Sequence, residues 1–185
     1  MSTAARQIFI LHRRETPLGE MLVLSDEQGA LRAVDWHDHE ARMHRLLRQQ
    51  YRGIETVVRV APAARQILDA FDAYFAGRCD ALDGLAVRTG GTDFQRQLWQ
   101  HLRAIPAGQT RSYGALAQQL GRPDASRAIG QANGANPLGI VVPCHRVIGA
   151  NAALTGYGGG MARKRWLLHH EGVIAQDARQ ASLAL

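Results

Sequence analysis

The chain has 185 residues, 46% of them hydrophobic and 21% charged, with a formal net charge of +6, which is enough for one substantial core or two small ones. No apolar run approaches the ~20 residues of a membrane span, and the start, Met1 to Arg6, lacks the apolar region of a secretion signal, so a soluble cytoplasmic protein is expected. Two cysteines, Cys79 and Cys144, are too few for a disulfide framework, and no Cys/His spacing matches a zinc site, so neither a metal nor another cofactor is expected.

In chain order, Gln7 to His12, Glu20 to Ser25 and Ala30 to Trp36 are short apolar stretches. Turn signals at Pro17-Leu18-Gly19 and Asp26-Glu27-Gln28-Gly29 separate them, which predicts an antiparallel meander. From Glu40 to Tyr51 the spacing of Met43, Leu46 and Leu47 turns helical, and Ile54 to Val60 suits a further strand. Pro62 suits the first turn of a helix whose apolar face is Ile67, Leu68, Phe71, Tyr74 and Phe75 and which Gly77 ends. Nothing in this half converges on chemistry. The glycine-rich segment 77 to 91 is expected to join two domains, an α/β domain over 1–90 and a functional domain over 91–175, with 176–185 as a disordered tail.

Thr92-Asp93-Phe94-Gln95 has the pattern of a capping box ahead of a helix burying Phe94, Leu98, Leu102 and Ile105. Ser112 suits the N-cap of a second helix, Tyr113 to Leu120, closed by Gly121. A third begins near Pro123-Asp124 and runs to about Gly134. Two short helices with a glycine-containing turn, the second bearing Arg127, have the outline of a helix-turn-helix. The third helix is built almost wholly of small residues: Ala125, Ser126, Ala128, Gly130, Ala132, Gly134 and Ala135. Glycine inside a helix costs about 1 kcal/mol relative to alanine, so its smoothness needs a reason. Close packing against a neighbour is one; entry into a DNA minor groove, about 6 Å wide, is another.

Charge is unevenly divided. Residues 1 to 90 hold twelve arginines against twelve acidic residues, whereas 91 to 185 hold nine arginines and Lys164 against Asp93, Asp124, Glu171 and Asp177. A basic second half is what phosphate neutralisation requires. In the same half, Asn136-Pro-Leu-Gly-Ile-Val-Val-Pro-Cys-His-Arg-Val-Ile-Gly149 sets Cys144, His145 and Arg146 between two apolar runs. A thiol, an imidazole and a guanidinium are costly to bury unpaired, although a lone buried cysteine is more often a small core hydrophobe. The thiolate is the nucleophile and a free cysteine titrates near ~8.5, so Cys144 needs a base or a stabilised anion. In extended backbone His145 would point away from Cys144, so a bridging water is expected. A carboxylate would orient the imidazole, and only Glu171 and Asp177 follow Cys144.

The run Pro143-Cys144-His145-Arg146-Val147 resembles the active-site signature of the O6-alkylguanine-DNA alkyltransferases, or methylated-DNA--protein-cysteine methyltransferases. The likeness continues through Arg127-Ala128-Ile129-Gly130, Asn136-Pro137, Gly156-Tyr157 and Trp166-Leu167-Leu168-His169-His170-Glu171-Gly172, over residues 93 to 172. The resemblance implies direct reversal of DNA damage: the alkyl group of O6-alkylguanine, and of O4-alkylthymine in some cases, passes irreversibly to Cys144 after the base is flipped out. It implies a relay from Glu171 through His145 and a water to Cys144. It makes Arg127 the residue that fills the vacated base stack, Tyr113 the one that rotates the 3′ phosphate and assists guanine departure, and Asn136 a hinge. It places Tyr113, Gly114, Arg122, Arg127, Ala128, Ala132 and Ala150 at double-stranded DNA, and Gly139, Val147, Tyr157, Gly158 and Gly159 at the alkyl pocket, with Tyr157 as its lid. The implied protein acts as a monomer, with cooperation along DNA open. Some relatives carry a zinc in the first half, for which this sequence lacks the cysteines. Gly139 stands where some relatives have proline and Gly158 where others have a larger residue, so a roomy pocket that accepts O6-benzylguanine is expected.

The fold expected is α+β, with a small mixed or antiparallel sheet and helices first, then a mainly helical domain of winged-helix or helix-turn-helix type. The glycines at 156, 158 and 160 do not satisfy a dinucleotide fingerprint, since Met161 follows. Three other readings are weaker. A non-catalytic damage binder of the same family would not need Cys144, a cysteine hydrolase would not need Arg127 or the smooth helix, and a structural thiol leaves the in-register motifs unexplained.

Overall fold

A computed structural model describes residues 6–175 of the chain. Strands β1 (Arg6–Arg14), β2 (Met21–Asp26) and β3 (Leu31–Trp36) form the meander that the turn signals imply. Helix α1 (Glu40–Gln50) then carries the chain across one face of the sheet to β4 (Glu55–Val60), which lies parallel to β1, giving the order β3-β2-β1-β4. The parallel pairing follows from topology: β3 and β1 run the same way, and a strand entering beside β1 after a helical crossover keeps that direction.

Strands β2 and β3 are buried at every residue because both faces of the sheet are covered. Phe9, Leu11, Leu22, Leu24 and Ala33 pack with Met43, Leu47 and Tyr51 on the α1 side. Met21, Val23, Leu31, Val34 and Trp36 face the other way into a larger cluster with Ile67, Phe71 and Tyr74 of α2 (Arg65–Phe75) and with Leu98, Leu102, Val142 and Leu167 of the second half. Alternate residues thus feed separate cores, as the two-residue period of a strand dictates.

Pro62 lies outside α2 rather than in its first turn. Ala61 N still donates to Leu11 O (3.1 Å), so the chain is leaving the sheet there, and Ala64 remains extended (ψ 139°) before the helix starts. The segment 77–91 is more than a connection. Leu31 N donates to Ala86 O (2.8 Å), Arg88 N donates to Leu31 O (2.9 Å), and Leu82 and Leu85 are buried, so it covers part of the outer edge of β3.

Helix α3 (Asp93–Arg103) begins with the reciprocal Thr92–Gln95 bonds of a capping box and buries Leu98, Trp99 and Leu102; Phe94 is only half-buried. Helix α4 (Tyr113–Gln119) is capped by the Ser112 hydroxyl, which accepts from Ala115 N at 3.1 Å. Helix α5 is shorter than expected, Ser126–Gly134, and lies against both α3 and α4. Its inward side is Ile129, Ala132 and Asn133. Two-residue strands β5 (Arg111–Ser112) and β6 (Val147–Ile148) pair in parallel, a ladder too short to show in an apolar pattern. Helix α6 (Met161–His170) closes the described chain. Among the described residues no helix is long and apolar enough to cross a membrane, and the expected tail 176–185 lies outside them.

Candidate active site

The stretch from Asn136 to Arg146 is a succession of turns, not a strand. It is fastened to the first half at the β3 edge, where Val34 N donates to Pro137 O (2.8 Å) and Gly139 N donates to Val34 O (2.9 Å). Asn136, 1% exposed, holds the loop from inside. Its Oδ1 accepts from Leu138 N (2.9 Å), and its Nδ2 donates to Val142 O (2.8 Å) and to Cys144 Sγ (3.0 Å). Buried Ile140 sits at φ 66°, a region that a β-branched residue occupies only when its surroundings impose it, at about 1–3 kcal/mol.

Cys144, His145 and Arg146 form one turn of 3-10 helix, which corrects the expectation of extended backbone. The tight turn brings His145 and Arg146 to the same carboxylate. Glu171, at the C-cap of α6, is positioned because Leu167 and Leu168 anchor that helix in the core. Glu171 Oε1 accepts from His145 Nε2 (2.9 Å) and Arg146 Nη2 (2.9 Å), and Oε2 accepts from Arg146 Nε (2.8 Å). Arg146 Nη1 donates to Ile105 O at 2.5 Å. A fourth donor comes from the first half of the chain: Tyr74 Oη–H to Glu171 Oε1 at 2.8 Å.

These bonds assign the histidine tautomer. A carboxylate only accepts, so Nε2 carries the hydrogen and the neutral ring has its lone pair on Nδ1. Nδ1 is buried without a protein partner. Burial pushes Glu171 upward, but the bonds from His145 and Arg146 outweigh it and hold its pKa at about 2. Burial lowers the His145 pKa against the pull of Glu171, so the resting imidazole is neutral. Burial likewise raises Cys144, opposed by the Asn136 amide and by the Arg42 and Lys164 charges. The resting site therefore pairs a protonated thiol with a neutral base, and its built-in charges favour the thiolate once the proton leaves. Asn136→Ala is expected to slow alkylation of Cys144 about 10–100-fold and to move its thiol titration to higher pH, read by peptide-resolved iodoacetamide labelling across pH. An unshifted titration would remove Asn136 from the activation of sulfur.

The remaining expected residues divide by exposure. Arg127, Ala128, Gly114, Arg122 and Ala150 are exposed, with Arg122 lying over the Phe94 ring (5.2 Å). Ala132 is not on that surface: it is 3% exposed, and its carbonyl accepts from Trp99 Nε1 (2.9 Å), because it occupies the inward side of α5. Half-buried Tyr113 accepts from the Thr155 hydroxyl (3.3 Å), and the Gly130 Cα faces its ring edge. The Tyr157 ring lies edge-on to His145 at 6.3 Å, as a cover for the site would. Val147 is fully buried.

The glycines do not widen the pocket as expected. A side chain at Gly158 would meet the Arg42 guanidinium at 2.6 Å, and one at Gly159 would meet Trp36 Nε1 at 2.7 Å. Their smallness admits packing from the first half, not a larger alkyl group. Proline at 139 would remove the Gly139 N–H bond to Val34.

Four contributors escaped the sequence reading. Arg146 was visible as a costly buried charge but had no assigned role. Tyr74 looked like one more apolar position of α2. Arg42 donates to Asp35 (2.6 Å), Gly134 O (3.1 Å) and Asn136 O (3.0 Å), tying the end of α5 to the active-site loop. Buried Lys164 donates to Val147 O (2.6 Å) and Thr155 O (2.8 Å), and burial lowers its pKa to about 8. The first half therefore does converge on the chemistry, through contacts that no local pattern announces.

Comparison with known proteins gives two family matches that together span most of the chain. Residues 93–173 match the 6-O-methylguanine DNA methyltransferase DNA binding domain, and residues 10–89 match the ribonuclease-like domain of the same family. The methylated-DNA--protein-cysteine methyltransferase of Salmonella typhimurium is 55% identical over 161 residues, 86% of this chain and 93% of the relative. That of Mycobacterium bovis is 51% identical over 128 residues, 69% and 77% of the two chains. Among solved structures, Mycobacterium tuberculosis OGT in complex with DNA superposes with a TM-score of 0.73 at 39% identity, covering 88% of this chain and 92% of that one.

Proposed function

The chain belongs to the 6-O-methylguanine DNA methyltransferase family, and we propose that its Cys144 is the acceptor that takes the alkyl group from O6-alkylguanine in DNA. The activity is that of a methylated-DNA--protein-cysteine methyltransferase, a direct-reversal repair of double-stranded DNA. One observation carries the assignment of residues: the buried His145 Nδ1 with no protein partner, one residue along the chain from a thiol that receives the Asn136 amide.

In this reading Nδ1 takes the Cys144 proton through a bridging water, and Glu171 stabilises the imidazolium. The sulfur attacks the alkyl carbon in line with the C–O6 bond. As the S–C bond forms, the C–O6 electron pair passes to the guanine, which takes up a proton equivalent to the one that left Cys144. Tyr113 assists that departure, Arg127 fills the stack from the exposed face of α5, and Tyr157 covers the alkyl group. O4-alkylthymine offers the same O-alkyl carbon and is a second candidate substrate. The thioether has no route back: the other thiol, Cys79, is turned toward the Gly77 and His170 carbonyls. Each molecule acts once. Residues 1–90 and 91–175 are assigned as supporting and catalytic domains of a cytoplasmic monomer.

The test is intact-protein and peptide mass spectrometry after incubation with a duplex carrying one O6-methylguanine. The expected result is a stoichiometric gain of one methyl on the Cys144 peptide and none on the Cys79 peptide; lesion binding with no mass change would instead support a damage-recognition protein. In the same assay Arg127→Ala is expected to slow transfer from duplex about 10–1000-fold while leaving transfer from the free O6-methylguanine base unchanged. A loss on both substrates would refute a base-flipping role.

A further inference from the structure

The Tyr74 hydroxyl is the only polar group of α2 that reaches the Cys144 network among the hydrogen bonds of the described residues, and it comes from the half that carries no reacting atom. Its ring is fully buried, packed edge-on to Phe75 and against the His170 ring at 5.1 Å. His170 Nε2 in turn bonds the Tyr74 carbonyl (2.7 Å), so α2 and the end of α6 hold each other at the residue next to Glu171. With Tyr74 in place, Glu171 Oε1 receives three donors, Tyr74 Oη, His145 Nε2 and Arg146 Nη2, while Oε2 receives Arg146 Nε.

We propose that Tyr74 is a positioning residue for the alkyl-transfer reaction: by donating to Glu171 Oε1 it fixes the carboxylate and limits its basicity toward His145, so that proton exchange is confined to the Nδ1 side that serves Cys144. The argument is one of competition for a single oxygen. An Oε1 held only by His145 and Arg146 would concentrate more charge on the His145 bond and draw the Nε2 proton toward the carboxylate. A third, neutral donor spreads that charge without adding a cation. Burial and the neighbouring Glu171 charge keep the phenol protonated, hence a permanent donor. The other titratable groups facing the network are Arg146, Cys79 and His170 around Tyr74 and Glu171, and Lys164, Cys144 and Tyr157 around His145. None of them duplicates a neutral O–H at Oε1.

This inference rests on the alkyl-transfer reading, and its primary readout needs no DNA. Tyr74→Phe keeps the ring and removes the donor. The His145 titration, followed by nitrogen NMR of the imidazole in the full chain, is expected to move upward by about half a unit to one unit. The acid limb of the methyl-transfer rate is expected to move with it, toward higher pH by the same amount. Phe71→Leu, a cavity in the same helix with no link to Glu171, should lower thermal stability and leave the His145 titration in place. An unshifted titration in Tyr74→Phe, or an equal shift in Phe71→Leu, overturns the proposal. Absence of methyl uptake by the wild-type protein would overturn the transfer reading and leave the NMR comparison to decide the role of Tyr74 in the network.

Discussion

Cys144→Ser is expected to abolish methyl uptake from O6-methylguanine duplex, a fall on the order of 10⁴-fold or more, with little change in fold. The substitution is nearly isosteric at a site only 5% exposed, and a hydroxyl oxygen accepts the Asn136 amide as the sulfur does. The chemistry differs. An alkoxide is far harder to generate than a thiolate, and a neutral histidine whose pKa burial lowers further is too weak a base to form one. Duplex containing the lesion should still bind, because Arg122, Arg127 and the exposed side of α5 are untouched. Mass spectrometry paired with a mobility-shift titration reads both halves. Methyl uptake by the serine variant would transfer the acceptor role to another residue.

Glu171→Gln is expected to cost about 3–5 kcal/mol of stability and most of the transfer activity. The carboxylate is the counter-charge of Arg146, which is 3% exposed and directs two of its guanidinium nitrogens, Nε and Nη2, to it. A neutral amide would leave that cation buried without compensation and would present an N–H where donors converge. The same carboxylate sets an acid dependence. Its pKa is depressed from 4.5 to about 2, so the folded state favours the charged form. The resulting stability, on the order of 3 kcal/mol, is fully present above about pH 4.5 and lost as pH falls toward 2. Urea titrations between pH 6 and pH 3 should show the wild-type protein weakening over that window, and Glu171→Gln lacking this component. Parallel curves for the two proteins would assign acid unfolding to other carboxylates.

The parts of the site that could be found from the chain alone are those whose residues sit in contiguous, unusual patterns. Cys144, His145 and Arg146 stand out because a thiol and two basic groups interrupt apolar runs, and Glu171 because acidic residues are so scarce after Cys144. The Thr92–Gln95 box and the Ser112 cap were visible for a similar reason: each is a local bond between residues three apart. Ala132 misled because smallness does not say which way a helical residue faces. Gly158 misled because the space beside it is occupied by Arg42, more than a hundred positions away in the chain.

The sequence by itself determined the meander, the helix with its capping box and the basic second half, and it singled out Cys144, His145 and Glu171, since each depends on neighbours along the chain or on residue type. Only the tertiary structure decided that β4 joins β1 in parallel, that residues 144–146 turn rather than extend, and that the active-site loop hangs on the β3 edge at Val34. It also decided that Tyr74 and Arg42, set among what looked like ordinary helix positions, reach Glu171 and Asn136. Those are contacts between segments separated by some ninety residues, where what a side chain does depends on which distant surface the fold presses against it.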